Sequence, residues 1–144
     1  MPGKFLIDLT DPRFSIPENG DVLEFIRRTN PFAHTDVGGL LFDLRGELAG
    51  ARAYCPAPAS CAYVVLHTAA DRIFAIAFGQ RGLAFRIGGG ARAEALADGA
   101  APAPEIGPDW IRLDPWDSER RNDGGARIRR LAGAAFDQAC NPTI

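Results

Sequence analysis

The sequence predicts an α+β fold: an antiparallel β-sheet of about four to six strands in meander order, with N- and C-terminal helices packed on one face. Three observations carry this. Residues 71–87, DRIFAIAFGQRGLAFRI, are two apolar runs meeting at Gly79-Gln80-Arg81-Gly82, the pattern of a β-hairpin. Short strand-like runs lead into that hairpin and one follows it, and no βαβ unit is evident around it. Near the end of the chain, Ile128, Leu131, Ala132, Ala135, Phe136, Ala139 and Cys140 recur at i, i+3, i+4, i+7, i+8, i+11 and i+12, which is one stripe of an amphipathic helix.

Taken in order, residues 1–17 form an opening segment in which Phe5-Leu6-Ile7 suggests a short strand and Asp11-Pro12 a turn. A first helix is expected over residues 19–30. Asn19 or Asp21 is the capping candidate, Val22, Phe25 and Ile26 stand at helical spacing, and Asn30-Pro31 stops it. Gly38-Gly39 then opens Leu40-Leu41-Phe42-Asp43-Leu44, read as a strand that turns at Arg45-Gly46-Glu47 and returns over residues 51–54. The segment CPAPASC, residues 55–61, cannot supply a regular ladder, because prolines lack the amide donor.

Residues 62–67 read as the strand entering the hairpin. Within the hairpin, alternation assigns Phe74, Ile76 and Phe78 to one face and Ile73, Ala75 and Ala77 to the other. Gly88-Gly89-Gly90 precedes a short alanine-rich helix over residues 91–97, which Asp98-Gly99 ends. Three prolines make residues 100–108 a loop before a strand over residues 110–114.

A chain of 144 residues with 47% hydrophobic and 24% charged side chains is expected to form a single domain, 1–144, with a sizeable core. Its apolar runs fall short of the roughly 20 residues that span a bilayer, and Asp8 interrupts Phe5-Leu6-Ile7 before a signal-peptide core could form. A cytoplasmic location without membrane contact is expected. The odd set of three cysteines suits thiols in a reducing compartment. Of the 16 basic side chains only Lys4 is a lysine, and the arginine excess accompanies abundant Ala, Gly and Pro, as in a GC-rich genome. The net charge of -2 and a pI near 5.6 argue against a surface built for nonspecific nucleic-acid contact, although a local basic patch is compatible with them.

Cys55, Cys61 and His67 form C-x5-C-x5-H, with His34 or Cys140 as a notional fourth ligand. That spacing does not make the tight thiolate knuckle of a zinc site, so no metal and no cofactor are expected. Cys140 lies on the apolar stripe, where a thiolate would be desolvated. His34 with Asp36 is a nominal base with its carboxylate, but its spacing matches no catalytic pattern. Gly88-Gly89-Gly90 matches neither of the phosphate-cradling glycine motifs. The remaining cluster is Arg120, Arg121, Arg127, Arg129 and Arg130, near Trp116, and these six residues are the candidate binding set. Guanidinium groups there can grip phosphates or an acidic protein surface, or form a solvated face neutralised by Asp114, Asp117, Glu119 and Asp123.

The order of elements from residue 71 to 139, with the segments RIFAIAF, LAFRI and DWIRL and the closing Ala135-Phe136, resembles the MmcQ/YjbR family of double-wing domains. The resemblance implies a domain that acts without catalysis, in one view on DNA. The expected function is therefore a noncatalytic binding or adaptor domain whose partner, a protein or a nucleic acid, meets the arginine-bearing C-terminal helix. Two alternatives stand beside it: a module recognising one specific protein, and a small-molecule binder or small enzyme with a pocket at the sheet edge. Oligomeric state is not specified by any of these features.

Overall fold

The computed structural model describes residues 11–56, 62–116 and 122–141. The expected strand at residues 5–7, most of CPAPASC including Cys61, and the arginines Arg120 and Arg121 lie outside the described residues. The helices are α1 (Gly20–Thr29), α2 (Thr35–Gly46), α3 (Gly89–Ala97) and α4 (Ala126–Cys140). The strands are β1 (Arg52–Tyr54), β2 (Val64–His67), β3 (Ile73–Phe78), β4 (Gly82–Arg86), β5 (Ala101–Pro102) and β6 (Trp110–Arg112). They form one antiparallel sheet in the order β1-β2-β3-β4-β6-β5. The α+β class and the meander hold, and α3 carries the chain across so that the two-residue β5 closes the far edge. No helix among the described residues is long and apolar enough to cross a membrane.

The expected hairpin is β3 paired with β4, with Ala75 opposite Phe85 and Phe78 opposite Gly82. Gly79 takes a φ of 64° in its turn, a left-handed conformation that glycine adopts without Cβ strain. The face assignment needs correction. His67 pairs with Ile73 while Leu66 pairs with Ala75, so Phe74 is an extra residue in β3, and the alternation inverts there. Phe74 consequently shares a core with Ala75 and Ala77, and Ile73 shares the opposite one with Ile76.

The helices also differ from the expected placement on one face. One core joins Val64, Leu66, Phe74, Leu83, Phe85 and Ile111 of the sheet to α2 and α4; the other joins Val65, Ile73, Ile76, Ala84 and Trp110 to α1 and to Phe14. N- and C-terminal helices thus cover opposite faces, which a sheet with apolar side chains on both sides requires.

The largest correction is α2, where two short strands were expected from residue 37 to 54 and only β1 forms. Val37, Leu41 and Leu44 stand at i, i+4 and i+7, and all three are buried against the sheet. His34 starts the helix, its Nδ1 accepting from the Asp36 N–H at 3.1 Å. Gly38 is not a strand opener: a Cβ there would lie 3.1 Å from Val64 Cγ2, so the glycine lets the helix lie close to β2.

Asn19 precedes α1, as expected, but its side chain does not cap it. It is buried and turns inward, donating from Nδ2 to the carbonyls of Phe14 (2.9 Å) and Asp71 (2.8 Å) and accepting from the Ile73 N–H at 2.9 Å. One amide thereby ties the N-terminal segment to the start of β3.

Candidate functional site

The C-terminal helix begins after Gly124 and Gly125, both left-handed, and Asp123 supplies the acceptor for its first amides, taking N–H bonds from Gly125 at 2.9 Å and Arg127 at 3.3 Å. Ile128, Leu131, Ala132, Ala135 and Ala139 form its buried stripe, with Phe136 half-buried, as the spacing predicts. Cys140, a member of that pattern, is exposed, whereas Arg127, which the pattern leaves out, is buried at its margin, 6% exposed.

The arginines do not form one outward patch. The buried Arg127 points its Nε at Asp98 Oδ2 (3.3 Å), and Arg130 Nη2 lies 3.9 Å from the same oxygen. Arg129 faces the other side, with Nε 3.5 Å from Glu47 Oε1 and Nη1 donating to the Gly124 carbonyl at 2.7 Å. The three guanidiniums therefore meet carboxylates from two helix ends, Arg127 and Arg130 at Asp98 just after α3 and Arg129 at Glu47 just after α2. Trp116 is half-buried against the core that α4 covers, and its backbone N–H donates to Asp114, a carboxylate also held by Arg81 at 2.7 Å. It anchors the turn after β6.

Between α3 and α4 runs an open groove of about 440 Å³. Helix α3 has no buried residue and reaches the core only through Ala91, Ala95 and Leu96. Its two ends are strapped to α4 by polar contacts. At the N-terminal end the Gly88 N–H donates to Gln138 Oε1 (2.9 Å) while Gln138 Nε2 donates to the Gly88 carbonyl (3.1 Å). At the other end Asp98 meets Arg127 and Arg130. Ile87, Ala91, Ala95, Leu131 and Ala134 give the groove its apolar floor, and Glu94, Asp98, Arg127 and Arg130 its charged walls. Small alanines on both facing helices leave the space unfilled.

A second cleft of about 460 Å³ holds Arg72, Arg86, Glu18 and Asp109 beside Gly88 and Gly89. Its arginines serve the fold. Arg86 donates from Nε to the Ile73 carbonyl (3.1 Å), pairs with Asp21 (3.3 Å) and lies 4.9 Å from the Trp110 ring centroid. Burial lowers its pKa from the ordinary guanidinium range, against the raising effects of Asp21, Asp109 and Glu18. Arg72 reaches the Ala139 carbonyl (3.3 Å) and Glu18 (3.6 Å). Three carboxylates against two guanidiniums leave no positive excess with which to attract an anion.

The other sequence candidates stand apart. His34 is exposed, with Nδ1 occupied at the start of α2. His67 is buried, its Nδ1 2.9 Å from the Thr68 carbonyl and its ring edge-on to Phe14. Desolvation lowers its pKa below 6.5, with the Thr68 carbonyl acting in the opposite direction. Cys55 Sγ lies 3.7 Å from the Ala62 carbonyl. Among the described residues no three His, Cys, Asp or Glu gather to hold a metal.

Of the six candidate binding residues, the structure brings Arg127 and Arg130 together at the groove, turns Arg129 toward α2 and leaves Trp116 in the core margin; Arg120 and Arg121 lie outside the described residues. Missed in the sequence were Asp98, Gln138 and the alanines Ala91, Ala95 and Ala134. A signal did exist for Arg127, which stands one turn before Leu131 and so borders the stripe. Fold and site together define an α+β domain with an amphipathic groove between a loosely attached helix and its neighbour. No protein-family model, curated protein or solved structure matches the chain.

Proposed function

We propose that this chain is a noncatalytic binding domain whose recognition site is the groove between α3 and α4. The observation that carries the reading is the unfilled, apolar-floored space walled by Arg127 and Arg130, with polar straps at its two ends. Its volume falls within the range of about 300–1,000 Å³ typical of ligand pockets. The histidines support the noncatalytic part: His34 starts a helix and His67 lies under Phe14, each already engaged. The resemblance to a family regarded as acting without catalysis points the same way. A nucleic acid is a less favoured partner, because Arg127, Arg129 and Arg130 each face a carboxylate that phosphates would have to displace.

Amide chemical-shift mapping with a library of small organic fragments tests this. Perturbations are expected to concentrate at Ile87, residues 91–98 and residues 127–134. Shifts confined to the Arg72 and Arg86 cleft, or no reproducible hits at all, would refute the groove as the site.

A protein-interaction module recognising one partner is the second reading, favoured by Phe32 and Phe42, which are 53% and 40% exposed. A stoichiometric partner retained by Ala134→Leu and lost with Phe42→Ser would move the recognition surface there.

A further inference from the structure

On the other face of the sheet from the groove, the segment before α1 is seated against a buried histidine. Residues 11–16 make their backbone hydrogen bonds to one another: the N–H groups of Phe14, Ser15 and Ile16 donate to the carbonyls of Asp11, Pro12 and Phe14. The segment meets the sheet through Phe14, whose buried ring packs at 75° to His67 (4.8 Å between centroids) and at 63° to Tyr54 (5.1 Å). Arg13 lies over the Phe14 and Tyr54 rings, at 4.8 and 5.4 Å. His67, 2% exposed in its side chain, ends β2. Its Nδ1 stands 2.9 Å from the Thr68 carbonyl, which can only accept, so Nδ1 carries the hydrogen and Nε2 is the atom left to take up a proton. Nε2 makes no hydrogen bond among the described residues. The charged groups facing the ring are Arg13, Arg52 from β1, and Asp71 from the turn before β3, whose Oδ1 is 3.6 Å from Nδ1. Asp71 itself is held in a left-handed backbone, φ 67°, with its carbonyl accepting from Asn19 Nδ2, the same amide that holds the Phe14 carbonyl.

We propose that His67 and Phe14 form a proton-operated latch, in which a proton taken up on Nε2 drives Phe14 from its seat and frees residues 11–16 while the rest of the fold persists. Charged, the ring meets two guanidiniums and one carboxylate in an apolar seat and carries an N–H with no acceptor; in the freed state water solvates both. Release stays local for two reasons. The segment's backbone bonds are its own, and α1 keeps its hold through Val22, Phe25 and Ile26 in the core and through Asn19 Oδ1, which still accepts from the Ile73 N–H. Burial holds the latched histidine below its ordinary pKa of 6.5, so the freed state binds the proton first as pH falls. The sign is therefore fixed: the latch is closed above about pH 6.5, and its equilibrium shifts toward release by about tenfold per pH unit from there down to the latched pKa. The latch does not depend on the groove between α3 and α4, and release uncovers Tyr54 and His67 beside β1.

Nuclear magnetic resonance of the full chain, following backbone amides and the His67 ring from about pH 7.5 to about pH 4.5, tests it. Amides of residues 13–16 are expected to move toward random-coil positions and lose order on the fast timescale in step with the His67 ring, while those of β3, β4 and α4 keep their native positions. His67→Gln, which cannot take up the proton, should hold the segment in place across the range. Asp71→Asn removes the one carboxylate that favours the charged ring and keeps a residue that tolerates the left-handed backbone, so release at a given acid pH should be more complete. Phe14→Ala should free the segment at neutral pH and bring the His67 titration up toward 6.5, the reciprocal effect that linkage requires. The latch is overturned if residues 13–16 stay ordered down to the acid limit, if they loosen equally in His67→Gln, or if the signals of β3, β4 and α4 are lost in the same step.

Discussion

Asn19 and His67 show how much of this fold hangs on single buried polar groups. The Asn19 amide satisfies two carbonyls and one N–H from two separate segments, around Phe14 and at the start of β3, so Asn19→Ala strands three partners, of which the Phe14 carbonyl and the Ile73 N–H lie in buried hydrogen bonds. We expect a loss of about 2–4 kcal/mol in urea unfolding, and a loss below about 1 kcal/mol would contradict the clamp. His67 is held neutral by burial, with Arg13, Arg52 and Asp71 as the charged groups around it. Its folded pKa is lowered, so the unfolded chain takes up the proton first as pH falls. The native state should therefore keep its full share of stability above about pH 6.5 and lose it as pH drops from there toward the folded pKa. His67→Phe should flatten that part of the stability profile, measured by denaturant midpoints from pH 7.5 to 5; an unchanged slope would show that another group carries it.

Among the elements, α3 and α4 contrast in how they are held. Helix α4 buries a stripe from Ile128 to Ala139 against the sheet, whereas α3 depends on its end contacts, chiefly Gln138 on Gly88 and Asp98 on the arginines. Such an element opens at low free energy. Hydrogen exchange at residues 92–97 should be faster than at residues 131–139, and Gln138→Ala should accelerate it several-fold while leaving α4 protected. Equal protection of the two helices would mean that α3 is packed more firmly than its exposure implies. The elements also show where local pattern sufficed. Helix α1 and the stripe of α4 were legible because each repeats its apolar residues at its own period, and the hairpin because two apolar runs flank a glycine-bounded turn, although its faces were not. Helix α2 was not, because Gly38-Gly39 resembles a strand boundary until the requirement for close approach to Val64 is known.

At the scale of the whole molecule, the sheet carries a core on each face, with α1 and Phe14 on one side and α2 and α4 on the other. Composition and periodicity determined that the chain has an antiparallel meander with helices at both ends, since strand and helix periods are written in neighbouring residues. Tertiary structure alone decided which face each helix covers, because the extra residue Phe74 inverts the alternation only through its pairing with β2. It likewise decided the site. The Gln138–Gly88 strap joins positions 50 residues apart, and Asp98 meets Arg127 and Arg130 across the same fold, so charges that read as an open arginine face become the walls of a groove. Local sequence sets periodicity, but pairing between distant side chains depends on how the packed layers bring them together.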